Sequence, residues 1–412
     1  MILIEEIKLK YGNAMALVIL IIRYILGSIP EKDIPLFIKR NSIDWEDLII
    51  ICRRQSIRIQ VFDALLNYNI PIEISFKIKN EVRELKIKNL KLFIEADRVF
   101  NFLKKNQLDY VPYKGFPFAH LFYRDVFARE LSDIDIIVNP SQLSKIVDLF
   151  KSDGYNLIQE QEVFNKLDRE EFIKEYRDLS FRKNVGLKNE FHIEIHWKIV
   201  EKYFSISGLN TDFNSNEYNR IQINGTEIKL LNEVENIRTI LLHHILHDSI
   251  NSLKNILDVA KSFKFINENS ESNLDLSSLA KLNDSLNLGI IMSSVGLITG
   301  VECKTLVVKS TNKTPSHIIN SILENRKNPK SLLTSRNRLK IYKYHFLHIN
   351  SRVIFFKGII SKFIFIFKYI FYVFKPGLYE FEVIRLPKYL IGIYWIIRPF
   401  RFIIRPNILK KK

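Results

Sequence analysis

The stretch ELSDIDIIV, residues 130–138, places two aspartates two positions apart in a run that is rich in apolar, β-branched residues. A run of this kind predicts a half-buried strand, in which successive side chains point to opposite faces. Asp133 and Asp135 therefore share one face, and Ile134 and Ile136 share the other. Two carboxylates held this close repel each other, so we expect a positive group between them. The alternative is an exposed amphipathic strand whose polar residues face water.

A second strand with the same alternation is predicted at EFHIEIHW, residues 190–197. His192, Glu194 and His196 share one of its faces. If this strand pairs beside the first, Glu194 joins the two aspartates, and three hard oxygen ligands meet on adjacent strands. Such a set is typical of a Mg²⁺ site, often one that holds two ions.

The stretch YKGFPFAH, residues 113–120, predicts a turn from a strand into a helix, with Gly115 at the start of the helix. A glycine at this point lets a phosphate approach the backbone, and a helix N-terminus attracts anions. Lys114 is then a candidate to neutralise a triphosphate. The alternative is an ordinary strand-to-helix turn with an exposed lysine, because the stretch is neither a P-loop nor a GxGxxG motif.

Three motifs together carry a resemblance: the lysine-glycine turn, the pattern R-x-x-S-D-I-D-I-I-V at 129–138, and E-I-H-W at 194–197. They resemble an uncharacterised nucleotidyltransferase family of the polymerase-β-like superfamily. Other stretches are similar to that family in the same order along the chain. They are SIDWEDLIIICRRQSIRIQVFDALL (42–66) in its N-terminal helical region, HHILHDSINSLKNILDVAKSF (243–263) in the helix pair that follows the core, and YLIGIYWIIRPFRFIIRP (389–406) near its C-terminus.

The resemblance implies Mg²⁺-dependent nucleotidyl transfer, with Mn²⁺ as the alternative ion. Asp133 and Asp135 would hold the metal on the triphosphate, and Glu194 would join the metal that activates the acceptor hydroxyl. The nucleotide-binding residues that it implies are Lys114, Gly115, Arg129, Ser132 and His196. The sequence departs from the superfamily in two places, since Phe116 follows Gly115 where many members have Gly-Ser or Gly-Gly, and the third carboxylate is a glutamate.

Several of these side chains have alternative interpretations. Arg129 could pair with a phosphate or with the carboxylates, or it could be an exposed loop arginine. His196 could orient Glu194, contact the substrate, or simply pack in the interior. Trp197, on the opposite face of the strand, is predicted to belong to the core.

The stretch HHILHD, residues 243–248, places His243 and His247 on one helix face. A zinc site is one interpretation, with Asp258 as a guessed third ligand, but the glutamate of an HExxH motif is missing. We favour a polar helix face that lines the nucleotide cleft.

The order of strand, helix, strand and helix, followed by antiparallel strands, predicts an α+β protein with a small mixed β-sheet core. Helical regions flank this core on its N-terminal and C-terminal sides. We divide the chain into a helical N-terminal region (1–95), a nucleotidyltransferase core (96–231), a helical domain (232–330) and a basic, aromatic-rich helical tail (331–412). Residues 325–338 are the best candidate linker.

Two local predictions accompany this division. LSFRKN, residues 179–184, is expected to form a hairpin with the strand at 190–200. Residues 14–26, AMALVILIIRYIL, are expected to form a buried first helix rather than a secretory signal, since acidic residues precede the stretch and Arg23 interrupts it.

The tail carries most of the net charge of +17, because residues 331–412 contain 17 Lys/Arg against only Glu380 and Glu382. Residues 353–374 are long enough to span a bilayer, but three lysines make a spanning helix costly. We therefore consider a helix that lies in the interface of an anionic membrane, with 353–412 as the contact. The alternative, which the resemblance supports, is that these helices pack on the protein body. Nucleic acid is disfavoured as a partner, because long runs of Ile and Phe do not suit a groove.

The resemblance implies a bacterial enzyme that moves a nucleoside monophosphate from an NTP to an unidentified hydroxyl acceptor. The resemblance suggests a sugar or glycan precursor as that acceptor. The alternatives are a catalytically silent binding or scaffold protein with the same fold, and a nucleotidyltransferase that modifies proteins. The two cysteines, Cys52 and Cys303, are isolated, which fits a protein in a reducing cytoplasm. If the basic tail contacts a membrane, we expect the protein at the inner face of that membrane.

Overall fold

A computed structural model describes residues 1–158, 169–185, 189–204, 206, 218–223, 226–271, 274–304, 316–324 and 338–374, together with positions 390, 393 and 396–397. Within these residues the fold is α+β, as predicted, with a five-stranded mixed sheet and a separate two-stranded sheet. The tail stretch 389–406 lies mostly outside the described residues. So do the turn at 186–188 and all but the last position of the predicted linker at 325–338.

The N-terminal region is helical, as predicted, and consists of α1 (Ile4–Ile25), α2 (Asp33–Arg40), α3 (Trp45–Gln55), α4 (Arg58–Leu65) and α5 (Ile72–Lys105). The prediction of a buried helix at 14–26 is confirmed, because the side chains from Ala14 to Arg23 are buried in α1. Helix α3 begins at an N-cap, where the Asp47 backbone N–H donates to the Asp44 carboxylate at 2.9 Å. This interaction stabilises a helix start because it satisfies a backbone donor that has no partner within the helix.

Helix α5 continues through the predicted boundary at residue 95 and joins two hydrophobic cores. Ile78 and Val82 belong to the larger core, which the N-terminal and C-terminal helices share. From Leu92 onward, the buried residues of α5 pack in a second core against the sheet. One continuous helix therefore belongs to both cores, and the division of the chain at 95 stays a prediction.

The five-stranded sheet has the order β1-β2-β5-β4-β3. Its strands are β1 (Tyr110–Pro112), β2 (Ile134–Val138), β3 (Asn156–Leu157), β4 (Asp178–Val185) and β5 (Asn189–His196). β2 and β5 are parallel neighbours at the centre of the sheet. The predicted hairpin of β4 and β5 is confirmed by antiparallel pairing along their whole length. A second sheet pairs β6 (Tyr218–Ile223) with β7 (Thr226–Leu231).

Short helices lie between successive strands of the five-stranded sheet along the chain. In the described part of this region they are α6 (Gly115–Phe118), which continues as a π-helical turn (Ala119–Tyr123), α7 (Leu143–Ser152) and α8 (Arg169–Glu175). After α7, Gly154 takes a φ of 84°, a left-handed conformation that glycine adopts at little cost. Trp197 is buried, as predicted, and its indole N–H donates to the carbonyl of Ile173.

The C-terminal part of the chain returns to helices after β7. They are α9 (Glu233–Leu242), which continues as a π-helical turn (His243–His247), α10 (Leu253–Glu268), α11 (Ser277–Ser285), α12 (Leu288–Thr299), α13 (Ser316–Leu323), α14 (Arg338–Val353) and α15 (Ile359–Phe374). In the part of the chain that the structure describes, no helix combines the length and the apolar character that crossing a bilayer requires.

Candidate active site

The parallel pairing of β2 with β5 brings the predicted carboxylates together. Asp135 lies directly opposite Glu194 in the register, and Asp133 immediately precedes the first residue of β2. Ligand atoms of Asp133, His192 and Glu194 all lie within 4.8 Å of one another, and the same holds for Asp135, Glu194 and His196. The sequence motifs at 130–138 and 190–197 therefore form one cluster, as expected from two neighbouring strands.

Asp135 is buried and already has two close side-chain partners, Lys114 and His196. Its Oδ1 accepts from Lys114 Nζ at 3.1 Å and lies 3.0 Å from His196 Nε2. Burial opposes ionisation of this carboxyl, but Lys114 and the hydrogen bond from His196 outweigh burial and hold its pKa below the usual value. The positive group expected beside the two aspartates is thus supplied in part by the chain itself.

His196 links the two strands at the site. Its Nε2 also lies 3.3 Å from a carboxylate oxygen of Glu194, and its ring meets Tyr113 edge to face with 5.1 Å between the centroids. Burial opposes the charged imidazolium, but the hydrogen bonds to Asp135 and Glu194 raise the pKa of His196. Despite burial, the hydrogen bond from His196 lowers the pKa of Glu194 to about 2. These contacts support the orienting role among the three alternatives for this histidine.

Asp133 differs from Asp135 in its electrostatic environment. Its carboxylate accepts from the Ser132 hydroxyl at 3.0 Å. Burial, followed by the negative charges of Asp135 and Glu194, raises the pKa of Asp133. A carboxylate whose charge is disfavoured in this way would gain from a bound cation. Carboxylate oxygens at this spacing suit a hard divalent ion, so the residues present fit Mg²⁺ or Mn²⁺.

Lys114 and Gly115 form the turn between β1 and α6, as predicted. The alternative of an exposed lysine is wrong, because Lys114 is only 6% exposed and binds Asp135. Lys114 also has a φ of 53°, which is uncommon for a residue with a side chain. A Cβ added to Gly115 would lie 3.9 Å from the Asp133 carbonyl oxygen, so the turn packs against the start of β2. Phosphate binding at this turn stays a prediction.

Phe116, the departure from the superfamily pattern, has a structural role. Its side chain is 5% exposed and packs edge to face on Phe93 of α5, with 5.3 Å between the ring centroids. The position after Gly115 therefore attaches the turn to the second core and offers no hydroxyl to a phosphate.

Arg129 binds a carboxylate outside the two strands, although Asp133 also lies within electrostatic range of it. Its guanidinium binds the Asp258 carboxylate of α10, with Nε 3.0 Å from Oδ1 and Nη2 2.8 Å from Oδ2. Arg129 is 6% exposed and Asp258 is fully buried, so the alternative of an exposed loop arginine is wrong. Arg129 therefore does pair with a carboxylate, as one interpretation of the sequence had it. That carboxylate belongs to Asp258, which lies 129 positions further along the chain, and not to the strands. A direct contact with a nucleotide phosphate stays a prediction that none of these contacts supports.

The histidines of the π-helical turn lie beside the same site. The rings of His243 and His247 stack at 5.0 Å, and Lys114 is one of the charges that lower the pKa of His243, after burial. His244 is held between two carboxylates, 3.0 Å from Asp248 and 3.0 Å from Asp258. Burial opposes its charged form, but these two hydrogen bonds raise the pKa of His244.

Zinc is disfavoured at this turn, even though ligand atoms of His243, His244 and Asp248 lie within 4.8 Å of one another. Both ring nitrogens of His244 are already in use, since Nδ1 lies within hydrogen-bond distance of the Asp248 carboxylate and the Asn255 side-chain amide, and Nε2 lies within that distance of Asp258. Asp258, the guessed third ligand, is instead occupied by Arg129, by His244 and by the Tyr123 hydroxyl at 2.7 Å.

Two basic residues of the site were missed in the sequence. Lys254 donates to the carbonyl of Glu130 at 3.0 Å, and burial, then the charge of Arg129, lowers the pKa of Lys254 to about 8. Arg177 pairs with Asp178 at 3.1 Å and lies within electrostatic range of Glu194. Lys254 lies in a stretch that resembles the family, but nothing in its spacing points to the carboxylates. Arg177 lies in no motif.

The chain matches a model of a protein family. A family model described as an uncharacterised nucleotidyltransferase matches residues 41–295, which is more than half of the chain. The matched region begins just before α3, includes both sheets and the carboxylate cluster, and ends within α12. No curated protein matches the chain.

Proposed function

This chain belongs to the uncharacterised nucleotidyltransferase family, and we propose that it transfers a nucleoside monophosphate from an NTP to a hydroxyl-bearing acceptor at the cluster of Asp133, Asp135 and Glu194. The observation that carries the proposal is the pairing of Asp135 with Glu194 across the parallel strands β2 and β5. It unites carboxylates from two distant motifs in one metal-compatible cluster. The acceptor class that we propose, a sugar or glycan precursor, rests on the family resemblance alone.

Asp133, Asp135 and Glu194 are the residues that would hold the metal, for which we propose Mg²⁺, with Mn²⁺ as the alternative. Such an ion, when bound, supplies positive charge to the phosphate oxygens and stabilises the attacking and leaving oxygens. The chain's own residues then set the geometry. His196 fixes Asp135 and Glu194 relative to each other, since its Nε2 contacts both carboxylates.

In the reaction that we propose, the acceptor hydroxyl oxygen forms a bond to the α-phosphorus of the NTP. The bond between the α-phosphorus and the bridging oxygen breaks, and pyrophosphate leaves with the electron pair. The hydroxyl proton passes to solvent beside Glu194, whose side chain is 22% exposed, whereas that of Asp135 is 6% exposed and held by Lys114. Lys254 lies within electrostatic range of Asp133 and is our candidate to bind the departing phosphates.

Arg129 has a positioning role in this proposal. Its ion pair with Asp258 ties the loop before β2 to α10, the helix that also carries Lys254. The same loop leads directly into Asp133. The pair would therefore hold the first carboxylate and the phosphate-binding lysine in a fixed relation.

A nucleotide-binding experiment tests the proposal. Purified protein is heated with each NTP in turn, with and without Mg²⁺, and its melting temperature is recorded. A ligand present at about 100 times its Kd should add about 2.7 kcal/mol of stability. We expect one or more NTPs to stabilise the protein only when Mg²⁺ is present.

The matched variants are Asp133→Asn/Asp135→Asn and, as a control, Asp148→Asn on the exposed face of α7. The double variant should lose the Mg²⁺-dependent stabilisation, and the control should keep it. If no NTP stabilises the wild type, or if the double variant responds like the wild type, the proposal is wrong and a silent scaffold becomes the better interpretation.

A further inference from the structure

Helix α15 presents two opposite apolar faces, and among the residues that the structure describes only one of these faces is covered by the rest of the protein. On the covered face, Phe365 and Tyr369 are 0% and 3% exposed. Phe365 stacks on Phe204 with 5.6 Å between the centroids and an angle of 2° between the rings. The other face, which we call the outer face, consists of Ile359, Ile360, Phe363, Ile364 and Phe367, with exposed fractions of 71%, 72%, 65%, 43% and 62%.

The outer face is apolar without interruption. At about 100° per residue its five side chains fall within an arc of roughly 140°, on the side away from Phe365 and Tyr369. Ser361, Lys362 and Lys368 all lie outside this arc. Large aliphatic and aromatic side chains that are exposed side by side usually mark a contact with a partner or a membrane.

The charge of the surrounding segment decides between partners. Helices α14 and α15 with their connection, residues 338–374, contain seven Lys/Arg and no Asp or Glu. A second copy of the chain would bring an equal positive charge against this surface, and the two copies would repel each other. An anionic bilayer complements both features, because it accepts apolar side chains and attracts the flanking lysines.

We propose that the outer face of α15 docks on the surface of an anionic phospholipid bilayer. The helix lies in the membrane interface with its outer face toward the acyl chains, and its covered face stays packed on the protein. This arrangement leaves Lys357 at the start of the helix and Lys362 on its flank, at the level of the headgroups.

The docking helix is attached firmly to the rest of the molecule. Arg352 of α14 donates to the backbone carbonyls of Leu246 and His247 in the π-helical turn beside the carboxylates. On the covered face of α15, the Tyr369 ring meets the Tyr203 ring edge to face, with 5.2 Å between the centroids. Tyr203 lies two residues after Glu201 in the chain. Glu201 in turn lies 3.5 Å from Arg177. A bilayer bound to α15 would therefore be held at a fixed distance from the carboxylate cluster.

Vesicle flotation of the full-length protein tests this proposal. Wild type should float with phosphatidylcholine vesicles that contain phosphatidylglycerol, should float less at high salt, and should not float with pure phosphatidylcholine vesicles. The variant Ile360→Gln/Phe363→Gln/Phe367→Gln should lose about tenfold or more of the binding, because it removes the apolar contact. The matched control is Ile72→Gln/Phe76→Gln/Ile94→Gln on α5, whose three side chains are 87%, 68% and 60% exposed. It should bind like the wild type.

Three results would overturn the proposal. They are a wild type that does not float with the anionic vesicles, an α15 variant that floats as well as the wild type, and an α5 control that loses binding equally. Light scattering after size exclusion adds a fourth. A wild-type dimer that the α15 variant converts to a monomer would make the outer face an interface between two copies. The NTP-dependent stabilisation is measured separately on the same variants and should be unchanged, so this proposal and the proposed reaction can fail independently.

Discussion

Arg129 and Asp258 lie 129 positions apart in the sequence and form a buried ion pair in which Nη2 and Oδ2 are 2.8 Å apart. The first precedes β2 and the second belongs to α10, so the pair connects the sheet that carries the carboxylates to the C-terminal helices. Asp258 also accepts from Tyr123 and contacts His244, so four side-chain atoms of three residues lie within hydrogen-bond distance of the carboxylate. Burial opposes its ionisation, but Arg129 outweighs that effect and lowers the pKa of Asp258.

Asp258→Asn should destabilise the protein by about 3–5 kcal/mol, because the substitution leaves the guanidinium of Arg129 buried without its counter-charge. The measurement is the free energy of unfolding in urea. Arg220→Gln is the control, since Arg220 pairs with Glu227 at the surface with 71% and 42% of their side chains exposed. That change should cost at most about 1 kcal/mol. Equal losses for the two variants would contradict the structural role of the buried pair.

Asp133→Asn should stabilise the metal-free protein by up to about 1 kcal/mol while it abolishes Mg²⁺-dependent binding of NTP. The reason is that Asp133 is buried close to the negative charges of Asp135 and Glu194. Burial and both charges disfavour its ionised form. Melting temperatures without metal, and then with Mg²⁺ and NTP, measure both effects. A metal-free variant that melts well below the wild type would show that the carboxylate stabilises the fold instead.

Phe116→Ser would restore a hydroxyl at the position where many superfamily members have one, but it should destabilise the protein by about 3–5 kcal/mol. The ring is 5% exposed and packed on Phe93, so its removal leaves a cavity between α5 and the turn. Urea unfolding measures the loss, and Phe76→Ser at a 68% exposed position of α5 is the control. A change of less than about 1 kcal/mol in Phe116→Ser would show that the turn does not depend on this contact.

The ion pairs around Arg98 should make stability depend on pH in the acid range. Arg98 binds Glu95 at 2.7 Å and Asp153 at 2.6 Å, joining α5 to the turn after α7. Burial opposes ionisation of Glu95 and of Asp153, but the hydrogen bonds from Arg98 outweigh burial and lower the pKa of both carboxyls. Because both folded-state values lie below the unfolded ones, this contribution is complete above about pH 5 and is lost as the pH falls through the folded-state pKa values.

Arg98→Met should therefore lower the free energy of unfolding at pH 7 by about 1–2 kcal/mol, a modest amount because 38% of the Arg98 side chain is exposed to screening solvent. The difference between variant and wild type should shrink as the pH falls from about 5 to 3. Chemical unfolding at a series of pH values measures it. A difference that stays constant over that range would mean that Arg98 stabilises the fold by packing and not by charge.

The local predictions that succeeded rest on short-range rules. The alternation in ELSDIDIIV predicted β2 and the shared face of Asp133 and Asp135, and the alternation in EFHIEIHW predicted β5. In each case the sequence is sufficient, because the interactions that select the structure lie within a few residues.

The roles of the charged side chains could not be found in this way. Lys114 was assigned to a triphosphate and in the fold binds Asp135, and Arg129 binds Asp258 rather than a carboxylate of the strands. Lys254 and Arg177 carried no recognisable signal. Each of these side chains can choose among many partners of opposite charge, and burial makes the choice only after the fold has brought one of them close.

The sequence by itself determined the strands, the faces on which the carboxylates lie, and the order of the motifs that identifies the family. Only the tertiary structure decided that β2 and β5 are parallel neighbours with Asp135 opposite Glu194, and that Arg129 pairs with Asp258. It also decided that, within the described part of the chain, one apolar face of α15 is covered while the other is not. The periodicity of a chain is fixed by local backbone geometry. Its partners across the fold depend on packing between segments that the sequence separates by tens to hundreds of residues, and no local pattern encodes which of them will meet.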